Sequence, residues 1–86
     1  MKPIRFSAHA LGYAEKRGYA SEEVEDTIRT SAWKPAEWGI GRQECSKEFA
    51  FGRYWNGKLY ALKRVRPIFA EETIEIVVVT VYTYYY

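Results

Sequence analysis

Cysteine and histidine are almost missing from this chain of 86 residues, which has one of each, Cys45 and His9. One cysteine forms no intrachain disulfide and no cysteine-based metal cluster, and the two residues do not have the spacing of a zinc site. Low cysteine usage is typical of a reducing compartment, so we expect a cytoplasmic protein that uses no metal.

Long apolar runs are also absent. The longest, from Ile76 to Val79, is far shorter than the ~20 residues that a membrane-spanning helix needs, and the residues after Met1 contain no apolar signal core. A glycine-rich phosphate loop is missing too, because Gly39 and Gly41 are followed by neither a third glycine nor a predicted helix. We therefore expect no membrane contact and no cofactor.

Negative charge is missing from one segment of the chain. Between Phe49 and Ala70 there are five cations and six aromatic residues but no Asp or Glu, so the net charge of +2 conceals a strongly basic stretch. Cations that alternate with aromatic side chains are typical of surfaces that bind polyanions such as nucleic acid. The five cations are Arg53, Lys58, Lys63, Arg64 and Arg66.

The first half of the chain predicts two helices. Ser7 is a good N-cap for a helix over residues 8–17, which Gly18 would end, and Ser21 is a good N-cap for a second helix over residues 22–30. The residues expected to face the core are Ala10, Leu11 and Ala14 in the first helix and Val24 and Ile28 in the second. His9, Tyr13 and Arg17 are spaced four apart and should share the neighbouring flank of the first helix.

The second half predicts a sheet. Residues 33–38 form at best an edge strand because of Pro35, whereas Asn56-Gly57 predicts a tight hairpin between strands 48–55 and 58–66, ended by Pro67. One face of the hairpin should hold Phe49, Phe51, Arg53, Trp55, Lys58, Tyr60, Leu62 and Arg64.

The final segment, residues 73–84, predicts a central strand that is covered on both faces. Together the segments predict one α+β domain over residues 1–86, with two N-terminal helices on one face of a three- to four-stranded, largely antiparallel sheet.

Several short motifs occur in order along nearly the whole chain. They are Phe6-Ser7-Ala8-His9-Ala10, Arg17-Gly18, Ser21-Glu22-Glu23-Val24, Gly57-Lys58 and Val79-Thr80-Val81-Tyr82. In this combination the chain resembles an uncharacterised family of small bacterial proteins allied to RelE-like toxins, which belong to a wider group with barnase and the colicin nucleases. The resemblance does not extend to residues 33–47. It implies a RelE-like fold and metal-independent cleavage of RNA.

Such cleavage proceeds by attack of the 2′-hydroxyl on the adjacent phosphorus, which needs a base, cations for the phosphoryl oxygens and an acid for the leaving oxygen. The resemblance implies that His9 is the acid or base, and that Thr80 and Tyr82 orient phosphate or donate a proton. Arg17 has the planar fork that suits bidentate phosphate binding. The residues predicted to bind RNA are Arg53, Trp55, Lys58, Tyr60, Lys63 and Arg64.

Each of these residues also has a plainer interpretation. His9 can hydrogen-bond the backbone at a helix start, Arg17 can be a solvated residue near a helix end, and Thr80 and Tyr82 are ordinary strand formers. The hairpin cations can serve solubility alone. The terminal tyrosines, Tyr84 to Tyr86, can stack on RNA, join a partner's sheet or fray.

The sequence therefore predicts an endoribonuclease that acts as the toxin of a toxin–antitoxin pair, with free or ribosome-associated mRNA as substrate. Its antitoxin should be acidic or should wrap the cationic hairpin. An edge strand also offers a surface for a homodimer. The alternative is a non-catalytic module of the same fold that binds RNA or protein.

Overall fold

The computed structural model, which describes residues 2–37 and 39–86, is an α+β domain in which two helices pack on one mixed, mostly antiparallel sheet. Its elements in chain order are β1 (Ile4–Phe6), α1 (Ala8–Arg17), α2 (Ser21–Thr30), β2 (Lys34–Pro35), β3 (Gln43–Glu44), β4 (Lys47–Trp55), β5 (Lys58–Glu71) and β6 (Ile76–Tyr85). The predicted fold class is confirmed, but the sheet has six strands rather than three or four.

The sheet is ordered β1-β6-β5-β3-β2, and β4 pairs with the first half of β5. β1 runs parallel to β6, and the other pairs are antiparallel. The extra strands are β1 and β3, which have three and two residues. Strands this short show no periodicity that a sequence pattern can reveal. The predicted edge strand at residues 33–38 is reduced to β2, and Trp38 lies outside the described residues.

The start and end of α1 are as predicted. Ser7 Oγ accepts a hydrogen bond from the Ala10 N–H at 3.1 Å and donates one to the carbonyl of Val79 in β6 at 3.0 Å. Gly18 ends the helix in the left-handed conformation with φ of 76°. Ala10 is fully buried, but Leu11 is 60% exposed, so its predicted core position is wrong. Successive helix residues are about 100° apart, which turns Leu11 to solvent once Ala10 faces the sheet.

The second helix begins one residue earlier than predicted. Ala20 is the N-cap residue, so the predicted capping role of Ser21 is wrong. The side chain that caps the helix start is that of Glu23, whose Oε1 accepts a hydrogen bond from the Ala20 N–H at 2.9 Å. Val24 and Ile28 are buried as predicted.

The hairpin of β4 and β5 has the predicted turn, with φ of 50° at Asn56 and 83° at Gly57. Trp55 faces Lys58 and Arg53 faces Tyr60, also as predicted. A bulge between Ala50 and Arg53, where Gly52 has φ of 58°, then shifts the register by one residue. As a result Phe49 pairs with Lys63 rather than Arg64, and the predicted common face does not extend past the bulge.

β5 does not end at Pro67, as had been predicted, but continues to Glu71. The last pair with β4 is at Val65 and the first pair with β3 is at Ile68. Pro67 lies between them, where β5 has no partner strand on that side and a backbone N–H is not needed.

β6 is central only over its first residues, because β1 ends where Phe6 pairs with Val78. Ile76, Val78 and Val81 are buried beneath the helices, whereas Val77 and Val79 are half-buried, so the predicted cover on both faces is wrong. Beyond Val78 the outer edge of β6 runs beside α1. No helix in the described part of the chain is long and apolar enough to cross a membrane.

Candidate functional site

The side chain of Arg17 connects α1 to the outer edge of β6. Its Nη1 donates hydrogen bonds to Thr80 Oγ1 at 3.1 Å and to the carbonyl of Val81 at 2.8 Å. Among the described residues β1 ends opposite Val78, so at Val81 the guanidinium takes the place of a strand partner on this edge. The group is therefore held in one position at the edge of the sheet.

Two aromatic rings lie close to this guanidinium. Its Cζ is 4.3 Å from the ring centroid of Tyr13 and 5.0 Å from that of Tyr82, within cation–π range. Tyr13 in turn lies 4.8 Å from the His9 ring, at 48°. We call His9, Tyr13, Arg17, Thr80 and Tyr82 the Arg17 cluster. It brings all four predicted catalytic residues into one connected group.

Part of the hydrogen-bonding capacity of the Arg17 guanidinium is unused. Over residues 2–37 and 39–86, no carboxylate lies within ion-pair distance of it, and its Nε and Nη2 make no hydrogen bond. These two nitrogens carry the remaining donors of the fork. An anion such as phosphate could accept from both.

His9 lies at the other end of α1 from Arg17. Their positions differ by eight residues, which corresponds to about 12 Å along the helix axis. His9 is exposed, and Tyr13 lies between it and the guanidinium. A phosphate on Arg17 would thus contact Tyr82 and Thr80 first, and a longer substrate would be needed to reach the imidazole.

The end of the hairpin carries a second group of aromatic and cationic side chains. Arg53 lies over the Phe51 ring at 4.7 Å, and Lys58 lies over the Tyr60 ring at 5.6 Å. Within the described residues neither cation has a carboxylate partner. We call Phe51, Arg53, Trp55, Lys58 and Tyr60 the hairpin patch.

The hairpin patch meets the C-terminal end of α1 through Tyr85. The Trp55 ring stacks on the Tyr85 ring at 5.0 Å and 17°, and Tyr85 Oη donates to the carbonyl of Arg17 at 2.9 Å. Burial raises the pKa of Tyr85, so its hydroxyl stays protonated as this donor. The patch is therefore next to Arg17, at the end of the helix away from His9.

Two of the predicted RNA-binding cations have partners within the fold. Lys63 is only 3% exposed, and its Nζ lies 2.8 Å from Glu23 Oε1 and 2.7 Å from the carbonyl of Gly18. Arg64 is half-exposed and lies 3.9 Å from Glu48. Acidic residues of α2 and β4 thus reach the basic segment, which has no Asp or Glu of its own. We leave Lys63 out of the RNA-binding surface because an inward ammonium cannot contact phosphate.

Arg66, the fifth cation of the segment, is also paired. Its Nε and Nη2 donate to the two carboxylate oxygens of Glu44 at 3.2 and 3.0 Å, and this hydrogen bonding lowers the pKa of Glu44. Glu44 itself is buried. The pair joins β3 to β5.

Cys45 is buried next to this pair, and burial raises the pKa of its thiol to about 11. A thiol with this pKa stays protonated at neutral pH, whereas a nucleophile must be the thiolate. Cys45 is therefore a core residue. No group of three metal-binding side chains occurs among the described residues.

Comparison with known proteins adds no assignment. No family model, curated protein or solved structure matches the chain. The RelE-like resemblance thus remains a prediction from the short motifs.

Two surface cavities among the described residues contain no residue of the Arg17 cluster. The first, of about 500 Å³, is lined by Lys2, Ile28, Arg29, Ser31, Trp33, Glu71 and Ile76. The second, of about 650 Å³, lies beside Trp33, Glu44, Arg64, Arg66 and Tyr84. In the Arg17 cluster His9 and Tyr82 are exposed, and an exposed site suits a long polymer better than a small molecule.

Sequence reasoning missed the part that Tyr13 plays in this cluster. The helical spacing of His9, Tyr13 and Arg17 was visible, but the motifs of the resemblance do not include Tyr13. The signal that identifies it is the spacing itself, since residues four apart on a helix are neighbours.

Proposed function

We propose that this protein is a metal-independent endoribonuclease in which Arg17 binds the scissile phosphate. The observation that supports the proposal is the state of its guanidinium. It is fixed by Thr80 and by the carbonyl of Val81, flanked by two tyrosine rings, free of carboxylates among the described residues, and left with unused donors. An Arg in this state is organised in advance for an anion, so little energy is lost when phosphate binds.

The chemistry follows from the neighbours of that phosphate. The 2′-oxygen attacks phosphorus and forms a 2′,3′-cyclic phosphate, while the bond to the 5′-oxygen breaks. His9 is the proposed base or acid, since imidazole does both near neutral pH. Because Tyr13 lies between it and Arg17, the exposed His9 side chain must swing towards the bound phosphate to come within hydrogen-bond reach of the proton. Thr80 accepts a hydrogen bond from Arg17, so its own proton is available to a phosphoryl oxygen. Tyr82 has an exposed hydroxyl beside the same guanidinium and can be the second proton carrier.

The substrate and partners follow from the surface around the site. The hairpin patch offers two unpaired cations among aromatic rings next to Arg17, a combination that binds single-stranded RNA by charge and stacking. We include mRNA on the ribosome among the substrates. If the protein is the toxin of a toxin–antitoxin pair, an acidic antitoxin that covers the patch would prevent substrate binding.

The proposal is tested with purified protein and single-stranded RNA in the presence of a chelator. We expect fragments that end in a 2′,3′-cyclic phosphate, and cleavage by His9→Ala that is at least about 100-fold slower because an acid–base group is lost. Glu15→Gln, an exposed change on the same helix, is the control and should cleave at the wild-type rate. Intact RNA both with and without ribosomes would rule out an enzyme.

A non-catalytic RNA-binding module of the same fold is the second candidate. It is favoured by the openness of the Arg17 cluster and by the position of His9 at the far end of α1. In the experiment above, RNA that is bound but remains intact under all conditions would support this candidate. A protein that binds no RNA would leave the protein-binding alternative, through the free edge of β4.

A further inference from the structure

The sheet face opposite the helices carries a row of exposed tyrosines along β6. Tyr82, Tyr84 and Tyr86 are 39%, 42% and 47% exposed. Side chains two residues apart on a strand share a face and are about 6.6 Å apart. Tyr86 is held in place by backbone hydrogen bonds to Leu62 in both directions, so the row does not fray at its end. We call these three residues the tyrosine row.

Two arginines of β5 lie among these rings. The strand register places Arg66 opposite Tyr82 and Arg64 opposite Tyr84. The Cζ of Arg66 is 5.4 Å from the Tyr82 ring and its Nη1 donates to Tyr84 Oη at 3.1 Å, while the Cζ of Arg64 is 5.8 Å from the Tyr86 ring. Because Glu44 holds Arg66 through two hydrogen bonds, this surface is ordered before any ligand arrives.

Tyr82 connects the tyrosine row to the Arg17 cluster. Its ring lies 5.0 Å from the Cζ of Arg17 and 5.4 Å from that of Arg66. The row therefore ends at the guanidinium that has unused donors. A chain of bases lying along the row would bring one of its phosphates to Arg17.

We propose that the tyrosine row is the surface on which the bases of single-stranded RNA stack, with Arg17 at the end where the backbone is cut. This inference rests on the proposed function and adds the substrate class, since bases inside a duplex are already stacked and do not reach a sheet face. Exposed aromatic residues on a sheet are a recurrent platform for single strands, and arginine planes add to the stacking. These cations are available to the phosphates of the RNA backbone, since Arg17 has no carboxylate partner among the described residues and the ion pair of Arg64 is long and exposed.

The test uses a single-stranded RNA with 2-aminopurine as its reporter base and 2′-O-methyl ribose throughout, so that no 2′-hydroxyl is available for attack. Stacking on tyrosine should quench the fluorescence when wild-type protein is added. We expect Tyr84→Ala and Tyr86→Ala each to weaken binding at least about fivefold, the low end for loss of one stacked base. Tyr84→Phe, which keeps the ring, should bind within about twofold of wild type.

The matched control is Tyr54→Ala, which removes a tyrosine that is 72% exposed but lies on the hairpin, outside the row. It should bind as wild type does, and a duplex of the same sequence should bind the wild-type protein more weakly than the single strand. If Tyr84→Ala does not fold, Tyr86→Ala at the end of the strand still decides the question. Wild-type affinity in the folded row variants, or equal binding of duplex, would overturn the inference.

Failure of the inference differs from failure of the proposed function. A protein that binds the modified RNA through the row but does not cleave unmodified RNA would disprove the ribonuclease and keep the stacking surface. A protein that cleaves RNA while Tyr84→Ala and Tyr86→Ala keep wild-type affinity would disprove the stacking surface alone. If no RNA binds at all, both fail, and the row would serve a partner of another class.

Discussion

Two consecutive residues at the end of α1 connect the candidate site to the rest of the molecule. The side chain of Arg17 binds Thr80, and its carbonyl accepts hydrogen bonds from Thr83 Oγ1 at 2.6 Å and Tyr85 Oη at 2.9 Å. Gly18 follows in the left-handed conformation and lies against Trp55 and Tyr85. The backbone at this point therefore determines where the guanidinium and the hairpin patch meet.

A methyl group at Gly18 should disturb this arrangement. In Gly18→Ala the new Cβ would lie 2.5 Å from Trp55 Cη2 and also collide with Tyr85 Oη, at a φ of 76° that side chains rarely adopt. We expect the free energy of unfolding, measured in urea, to fall by at least about 1–3 kcal/mol, the cost of the backbone conformation alone. Gly12→Ala is the control, because Gly12 lies mid-helix with no atom within 4 Å of a Cβ. It should be neutral or gain up to about 1 kcal/mol, and an equal loss in both variants would contradict this account.

At the scale of elements, β3 is a strand of only two residues that is fixed by a side chain. Glu44 is buried and pairs with Arg66 of β5 through two hydrogen bonds. A strand so short has little pairing energy of its own, so we expect this ion pair to hold β3 and the loop around it against the sheet. Removing one member leaves the other buried without its partner.

The ion pair of Glu44 and Arg66 predicts a pH dependence of stability. Arg66 lowers the pKa of Glu44 in the folded state. The ion pair therefore contributes its full stabilising free energy above about pH 4.3, the pKa of Glu in the unfolded chain. This free energy is lost as the pH falls through the lower pKa of the folded state. Glu44→Gln should lower the free energy of unfolding by about 1–3 kcal/mol at pH 7, and the difference from wild type should shrink below about pH 4. Urea unfolding between pH 3 and 7 measures both effects.

The control for this pH dependence is Glu75→Gln, which breaks the exposed pair with Arg5. The pKa of Glu75 is also lowered by its partner, but exposed pairs are screened by solvent and contribute little. We expect a smaller loss than in Glu44→Gln at every pH. A Glu44→Gln variant whose deficit does not change with pH would argue against the pair as the cause.

The elements that were predicted correctly begin or end at residues that determine the local backbone conformation. Ser7, Gly18 and Asn56-Gly57 determine backbone conformation by their own side chains or lack of one, so α1 and the hairpin follow from sequence. The strands β1 and β3 depend on partners far away in the chain, and no local pattern marks them. The bulge was missed for a related reason: Gly52 was its one signal, and a glycine inside a strand is also compatible with an unbroken ladder.

At the scale of the whole molecule, folding redistributes the charge that the sequence displays. The basic segment contains five cations, but Lys63, Arg64 and Arg66 meet glutamates from α2, β4 and β3. A linear charge count cannot foresee this, because it depends on the tertiary arrangement. Among the described residues, Arg53 and Lys58 of the hairpin patch and the neighbouring Arg17 of α1 have no carboxylate partner.

The candidate site was more predictable than the charge surface. Helical spacing placed His9 and Arg17 on one flank, and strand alternation placed Thr80 and Tyr82 on one side. That Arg17 meets Thr80 and Tyr82 depends on how α1 crosses β6, which Ser7 fixes by hydrogen bonding to Val79. The sequence predicted both halves of the site but not the contact between them.

The central claim is that the fixed guanidinium of Arg17 binds the phosphate that is cut, and single-turnover cleavage of RNA tests it most directly. Arg17→Lys keeps the charge but loses the planar fork, whereas Arg29→Lys makes the same change on the exposed side of α2. We expect cleavage by Arg17→Lys to be at least about 100-fold slower than by wild type, as for other preorganised donors at a reacting centre, and cleavage by Arg29→Lys to be unchanged. Equal rates for a folded Arg17→Lys and the wild-type protein would contradict the claim.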